Sequence, residues 1–269
     1  MKVITPVVNN PFFIEIQYYT LKKFLKCVDG YEFIVFNDAK DFPDFTNNGD
    51  VTLKTQIEDT CKRLNIQCIN IPNYNHRFNT IPSIRTADSC NFMLEYQKEN
   101  PDKYLILDSD MFLVDEIDFD SEYAQYSAAV LLQTRFINDA EHNYIWNGIA
   151  YFDMEQITHQ YEMDWNLCNG CDTGGMMKDW LSKQANVYYL NHMVPMDIDE
   201  NNFPKNLLKD GGRLLEVIKN DPRNENGKFF IEIIEDKILH YRGGGDWERK
   251  GLDLHFNLSK KLAELFIPE

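Results

Sequence analysis

The chain has few of the devices by which a protein grips an anion with its backbone. No Gly-x-Gly-x-x-Gly follows its first apolar run and no Gly-x-x-x-x-Gly-Lys-Ser/Thr occurs in its 269 residues, which excludes a dinucleotide cofactor and a P-loop nucleotide. Basic residues are scarce: 27 Lys and Arg against 43 Asp and Glu give a net charge of -16, with no Lys/Arg cluster to engage nucleic acid. No apolar run approaches the roughly 20 residues of a membrane span. The opening MKVITPVVNNPFF, broken at Pro6 and Asn9 and without a small-residue cleavage site, reads as a first strand and not as a secretory leader. The six cysteines (Cys27, Cys61, Cys68, Cys90, Cys168, Cys171) lack the spacing of a disulfide framework, and Cys168-x-x-Cys171 has no second pair to complete a zinc site. Free thiols in a reducing, cytoplasmic setting are the expectation, with a redox pair at Cys168 and Cys171 as the alternative.

A hydrophobic content of 43% suffices for one large core. No linker, repeat or low-complexity segment divides it, so one domain over 1–269 is expected. Apolar runs and turn residues predict a strand over Lys2–Val8, a helix over Phe12–Cys27 and a second strand over Glu32–Phe36, a β-α-β opening with a parallel crossover. A helix over Gly49–Leu64, a strand over Gln67–Ile71 and a helix over Ser83–Glu99 continue the alternation, the signature of a doubly wound α/β sheet. Beyond Ile117 the strands Ser127–Thr134 and Gly148–Met154 predict a mixed arrangement. A helix over Asp172–Gln184, a strand over Val187–Leu190, a hairpin-like pair at Phe229–Ile234 and Lys237–Tyr241, and a closing amphipathic helix over Gly251–Phe266 follow, with 207–222 open.

The most informative stretch is KYLILDSDMFLVDEI, residues 103–117. Tyr104–Leu107 predicts a strand buried on both faces, which places Asp108 and Asp110 at its carboxyl end, where open α/β sheets bind ligands. Two carboxylates this close raise each other's pKa unless a cation lies between them. The alternative is a solvated Asp-Ser-Asp turn.

Four further stretches carry candidate chemistry. In ILHYRGGGDW, His240 is a candidate metal ligand, Arg242 a phosphate partner, Gly243 and Gly244 a close backbone approach and Trp247 a wall; a plain turn is the alternative. In YIWNGIAYFDM, Asn147 could bind a sugar hydroxyl and Gly148 could let a ring pass, or the pair is an Asn-Gly turn. In NGCDTGGMM, Asp172 is either a helix N-cap or a carboxylate facing the cleft. Arg85, one turn into a helix, could reach a phosphate or ribose, or is a solvated charge.

In this order the stretches resemble the GT-A glycosyltransferases, and most closely the glycogenin-like glycosyltransferase family 8. The resemblance implies a GT-A fold, an α/β architecture whose mixed central sheet is flanked by helices. It implies a metal-dependent hexosyltransferase that moves a sugar from a nucleoside diphosphate, a UDP-sugar, to a hydroxyl on a glycan, protein or small molecule, with retention. Asp108, Asp110 and His240 would hold Mn²⁺ or Mg²⁺. Pro6, Val7, Asn9, Asn37, Arg85, Ser109, Gly148, Arg242, Gly243, Gly244 and Trp247 would contact the donor, and Asn147 and Asp172 would serve the transfer. Residues 1–117 would form the nucleotide half and 118–269 the acceptor half. The family's Lys-Pro before the Trp is Gly245-Asp246 here, so Arg242 or Arg249 would have to replace the diphosphate-binding lysine; the alanine of the family's Asn-Ala-Gly is also missing. A haloacid-dehalogenase-type phosphatase shares Asp-x-Asp after a buried strand, but Phe112 stands where that motif has Thr or Val. A non-catalytic sugar- or nucleotide-binding module is the other alternative.

Overall fold

In the computed structural model, which describes residues 1–168, 170–191, 197–245 and 252–267, the apolar runs of the first half become parallel strands. The strands are β1 (Lys2–Val7), β2 (Leu25–Lys26), β3 (Glu32–Asn37), β4 (Gln67–Asn70), β5 (Lys103–Leu107), β6 (Met111–Leu113) and β7 (Ile117–Asp118). They continue as β8 (Ala128–Ile137), β9 (Ala140–Asp153), β10 (Val187–Tyr189), β11 (Glu232–Ile234) and β12 (Ile238–His240). The helices are α1 (Pro11–Phe24), α2 (Leu53–Leu64), α3 (Pro82–Glu99), α4 (Phe119–Tyr123), α5 (Met177–Leu181), α6 (Arg213–Lys219) and α7 (Leu252–Phe266).

The main sheet has the order β10-β8-β9-β5-β1-β3-β4, and β9 alone runs against the rest. The chain leaves β1 outward to β3 and β4, then returns to β5 on the other side of β1. That reversal opens a crevice at the carboxyl ends of β1 and β5. Alternate residues of β5 serve the two faces: Leu105 and Leu107 join one core cluster with Ile14, Leu21 and Ile57, while Tyr104 and Ile106 join a second with Cys90, Met93 and Leu94. Burying side chains of this size contributes about 1.5–3 kcal/mol each. A third cluster joins Phe13 and Ile16 of α1 and Leu258 and Leu262 of α7 to Phe112, Leu239 and Tyr241, and so packs both helices against one face of the small sheet β11-β12-β6.

Local chemistry explains most element ends. Asn10 caps α1 by accepting from the Phe12 amide at 3.1 Å, and Pro11 fills the first helical position. The expected helix over 172–184 contracts to the five residues of α5, because Gly174 sits at φ +89° and a turn occupies 173–176. Asp172 consequently caps no helix; the residue before α5 is Met176, without a side-chain cap. The helix expected from Gly49 begins at Leu53, and the one expected to reach Cys27 ends at Phe24. The strands expected at 127–134 and 148–154 prove to be one long β8–β9 hairpin, turned by Asn138 and Asp139 at φ 50° and 63°. Two successive left-handed residues match the type I′ geometry that hairpins favour. The open stretch 207–222 contains α6, and the late hairpin-like pair is β11 with β12. All six cysteines are free thiols. Among the described residues no helix is long and apolar enough to cross a membrane.

Candidate active site

The Asp108–Met111 turn is held from three directions. The Asp108 amide donates to the Gly148 carbonyl on β9 at 2.7 Å, and the Met111 amide closes the turn onto the Asp108 carbonyl at 3.1 Å. From α1, the buried Gln17 donates through Nε2 to the carbonyls of Asp108 (2.8 Å) and Met111 (3.1 Å). The third hold comes from the other end of the sequence. β6, directly after the turn, pairs antiparallel with β12 so that Met111 faces His240, and the Tyr241 amide donates to the Asp110 carbonyl at 2.9 Å. The Gly244 amide then donates to Asp110 Oδ2 at 2.9 Å. A Cβ at Gly244 would stand 2.5 Å from Phe13 Cε2 and 2.8 Å from Asp110 Cβ, so only glycine permits this approach.

His240 lies between two carboxylates. Its Nδ1 is 2.7 Å from Glu232 Oε2 on β11, and its Nε2 is 3.5 Å from Asp110 Oδ1. Burial alone would lower the imidazole pKa, but Asp110 and Glu232 outweigh it and push it up to about 10. Burial pushes the Asp108 carboxyl up to about 7, with the neighbouring Asp110 charge adding to it. For Asp110 burial also acts upward, yet the cationic His240 and the Gly244 amide hold the group below the ordinary range.

Asp108, Asp110 and His240 line a cavity of about 690 Å³, the size of a pocket for a small organic ligand, with Glu232 behind His240. On one side β9 supplies Trp146 and Asn147. Between the pairs Val130 with Ala150 and Leu132 with Ile145, the single β8 residue Leu131 stands against residues 146–149 of β9. This bulge swings Trp146 and Asn147 over the carboxyl end of β5. Asn147-Gly148 is therefore neither a turn nor a strand start. A Cβ at Gly148 would meet the Trp146 indole at 2.5 Å, so the glycine makes room for the protein's own ring, which packs against His240 at 5.1 Å. Next to these β9 residues Asp172 and Thr173 close the wall: the Asp172 amide donates to the Tyr144 hydroxyl on β9 at 3.2 Å and its carboxylate pairs with Arg135 at 3.3 Å, half-exposed, while Thr173 Oγ1 donates to the Ser83 carbonyl at 2.8 Å.

The other sequence candidates separate clearly. Pro6, Arg85, Ser109, Gly243, Asp108, Asp110, His240, Asn147 and Asp172 all line the cavity. Val7 does not: it is fully buried in the α1-side core, because β1 sends alternate residues to the two faces. Asn9 donates to the Thr46 and Gly245 carbonyls, tying two loops together behind the lining. Asn37 donates to the Lys54 carbonyl and accepts from the Ala39 amide. Arg242, at φ 51°, stacks over Phe230 and pairs with Glu232 at 3.5 Å, directed away from the cavity. Arg85 is buried and committed: its Nη1 meets both oxygens of Asp44 at 3.0 and 2.9 Å, and its other nitrogens donate to the Asn79 and His76 carbonyls. Trp247 and Arg249 lie outside the described residues.

Several lining or supporting residues had no local signal. Trp146 looks like one more strand aromatic, Glu232 like a strand charge, and Gln17 like a polar position on an amphipathic helix. Lys40 and Asp38 are different. They directly follow a buried strand, and the rule that ligands gather at strand carboxyl ends points to them.

Among the described residues no three His, Cys, Asp or Glu side chains converge as a ready-made metal site. The donor chemistry nonetheless suits a hard divalent cation. Asp110 Oδ1 is buried without a hydrogen-bond partner, its charge offset only by the His240 imidazolium 3.5 Å away, and a divalent cation would take over that role once the imidazole gives up its Nε2 proton. The 3.5 Å separation of Oδ1 from His240 Nε2 is close to that of adjacent ligands on a six-coordinate ion, roughly 3 Å. Glu232 holds His240 by Nδ1, the arrangement that leaves Nε2 for a metal.

No family model matches the chain, and no curated protein matches it in sequence. Among solved structures, the galactosyltransferase LgtC, determined in complex with donor and acceptor sugar analogs, superposes with a TM-score of 0.51 over 100% of this chain and 97% of that one, at 12% identity. An active-site mutant of LgtC superposes equally, with a TM-score of 0.51 and 14% identity over the same shares. At this identity the likeness is one of fold, and it bears out the expected GT-A architecture, a mostly parallel central sheet flanked by helices.

Proposed function

We propose that the protein transfers a sugar from a nucleoside diphosphate sugar, a UDP-sugar, to an acceptor hydroxyl, as a relative of glycosyltransferase family 8. One observation carries this reading: Asp108 and Asp110, and His240 from far along the sequence, border one ligand-sized cavity at the switch point of the sheet, where Asp110 Oδ1 lies buried without a hydrogen-bond partner, 3.5 Å from His240 Nε2.

Asp108, Asp110 and His240 would hold Mn²⁺ or Mg²⁺, the imidazole favouring Mn²⁺. When bound, the cation offsets the negative charge that gathers on the departing diphosphate. The chain's own groups set the geometry. Ser109 and Pro6 border the donor beside the aspartates, and Asn147, aimed inward by the bulge, meets the sugar hydroxyls. Asp172, oriented by Arg135 and by the Tyr144 hydroxyl, borders the same cavity. Trp146 and His240 shield the reacting region from water on one side. Retention follows from the family resemblance, with the leaving diphosphate helping to take the acceptor proton. The acceptor is a hydroxyl of a glycan, a protein or a small molecule. Residues 1–117 provide the nucleotide side and 118–269 the acceptor side.

Incubation with UDP-glucose and UDP-galactose in the presence of Mn²⁺ is expected to release UDP, and EDTA to stop it. Binding without turnover of any donor would overturn the transfer reading in favour of a binding module. Phosphate release from a phosphomonoester would point to a phosphatase instead.

The same reading assigns Glu232 a positioning role. Glu232→Gln keeps an acceptor for His240 Nδ1 but removes the charge, and should weaken Mn²⁺ affinity by about 10–100-fold. A Mn²⁺ titration followed by melting temperature checks this. Equal Mn²⁺ stabilisation of variant and wild type would remove the assignment.

A further inference from the structure

Cys168 and Cys171 take no part in the proposed chemistry, yet they adjoin its wall. The Cys171 amide donates to the Cys168 carbonyl at 2.6 Å and so closes a tight turn. The ends of such a turn lie within about 7 Å of each other, Cα to Cα, a separation that a disulfide can span. Both side chains lie over Gly175, where a Cβ would stand 2.8 Å from Cys171 Cβ and 3.1 Å from Cys168 Sγ. The two thiols are hydrogen-bond partners; burial first, and that hydrogen bond second, push the Cys171 pKa up. Cys171 is 5% exposed and Cys168 half-buried, so a reagent from solvent meets the Cys168 sulfur first. Cys61 of α2 and Cys68 of β4 form a second hydrogen-bonded pair of thiols, but Cys61 is fully buried in the α1-side core and neither residue borders the cavity.

The Cys168–Cys171 turn differs in what it is joined to. Asp172 and Thr173, the next two residues, line the cavity. Asp172 is held lightly, by its amide on the Tyr144 hydroxyl at 3.2 Å and its half-exposed carboxylate on Arg135 at 3.3 Å. The segments around it are held by shorter main-chain bonds, from the Gly174 amide to the Trp165 carbonyl at 2.8 Å and from the Met176 amide to the Asn166 carbonyl at 2.9 Å. A covalent bond draws two sulfurs closer than a hydrogen bond does. The turn is already closed and packed on Gly175, so the displacement passes to Asp172.

We infer that Cys168 and Cys171 form a reversible dithiol–disulfide site that exchanges with a low-molecular-weight disulfide, and that closing the bridge draws Asp172 from its place in the cavity wall and slows the reaction. The effect on the reaction rests on the sugar-transfer reading; the bridge does not. The Cys168 thiolate attacks one sulfur of the small disulfide and expels the other as a thiolate, leaving a mixed disulfide on Cys168. The Cys171 thiolate then attacks the Cys168 sulfur and expels the second small thiolate. The two cysteine protons end on the two released thiols; the cysteine pair is oxidised by two electrons and the small disulfide reduced.

For the test, wild type is equilibrated with reduced and oxidised glutathione, and free thiols are alkylated and located by peptide mass spectrometry. Cys168 and Cys171 should lose alkylation together, in a peptide lighter by two hydrogens, and regain it with dithiothreitol. Cys171→Ser should instead accumulate a glutathione adduct on Cys168, and Cys168→Ser should take none at Cys171. Melting temperatures identify the folded variants, and Cys171→Ala replaces a serine variant that does not fold. Oxidised wild type should release UDP from UDP-glucose or UDP-galactose with Mn²⁺ at least about fivefold more slowly than reduced, since a misplacement of about 1 Å can cost about 10²-fold, with no such difference in Cys168→Ser. Thiols at Cys168 and Cys171 that stay free in excess oxidised glutathione, or a bridge between Cys61 and Cys68 in their place, overturn the inference. A bridged protein that releases UDP at the reduced rate overturns the coupling to Asp172. Failure of both states to release UDP overturns the sugar-transfer reading, and the mass measurement then decides the bridge alone.

Discussion

Asp110→Asn is expected to lower Mn²⁺-dependent release of the nucleoside diphosphate by roughly 10²–10³-fold, the scale of removing one group that stabilises transition-state charge, while leaving the fold in place. The carboxamide retains an oxygen for the Gly244 amide, which now reaches Asp110 Oδ2 at 2.9 Å, and His240 keeps Glu232 on its other nitrogen. The backbone of the turn is unaffected, because Gln17 and the Tyr241 amide bind main-chain carbonyls. The loss falls on the cation, since the buried Oδ1, which has no hydrogen-bond partner, loses its negative charge. Calorimetric Mn²⁺ binding and UDP release should decline together, with the circular dichroism spectrum close to wild type and a lowered metal-free melting temperature, since the variant also loses the buried Asp110–His240 pair. Wild-type, EDTA-sensitive release in the variant would remove Asp110 from the metal site.

Gly174→Ala should be the most destabilising single methyl addition near the cavity, by about 3 kcal/mol from overpacking and left-handed strain together. Gly174 lies at φ +89°, and a Cβ there would stand 2.2 Å from the Ile145 carbonyl oxygen. That atom cannot yield as a flexible side chain would: it belongs to β9, paired to β8 on one side just where the bulge begins. The Gly174 amide also donates to the Trp165 carbonyl at 2.8 Å, and Trp165 is fully buried in the second core cluster. Relief must come from the 172–175 turn, which would move Asp172 and Thr173 out of the cavity wall. Denaturant unfolding measures the stability loss. Gly211→Ala is the control, since its Cβ would meet nothing within 4 Å although its φ is +76°. A Gly174 variant no less stable than the Gly211 one would show that the steric account is wrong.

Much of the parallel half was legible because its signals are local. Four apolar runs bounded by Asn, Asp and Pro gave β1, β3, β4 and β5, and a stretch such as Tyr104–Leu107 can only be a strand covered on both sides. The later half was less legible. In the β8–β9 hairpin the distal residues Arg135 and Phe136 are exposed, so burial left no alternation there to read, and Asn138-Asp139 is a weaker turn signature than Asn-Gly. The helix expected at Asp172 followed a polar-then-apolar pattern, but Gly174 and Gly175 favour a turn over a first helical turn by roughly 1 kcal/mol per glycine. Arg85 and Arg242 drew attention as cations for a phosphate. Arg85 is committed to Asp44, 41 residues away, and Arg242 to Glu232 across the β11–β12 hairpin, pairings that only the folded chain shows.

The amino-acid sequence by itself determined the α/β alternation, the double-sided burial of β5 and the delivery of Asp108 and Asp110 at its carboxyl end. Each depends on the order of apolar and turn residues within about ten positions. The tertiary structure decided which groups meet or border those aspartates: His240 through the β6–β12 register, Gln17 from the buried face of α1, and Asn147 and Trp146 through a bulge. Strand order and register are set by pairing between segments far apart in the chain, where a shift of one residue in β12 would turn His240 to the opposite face.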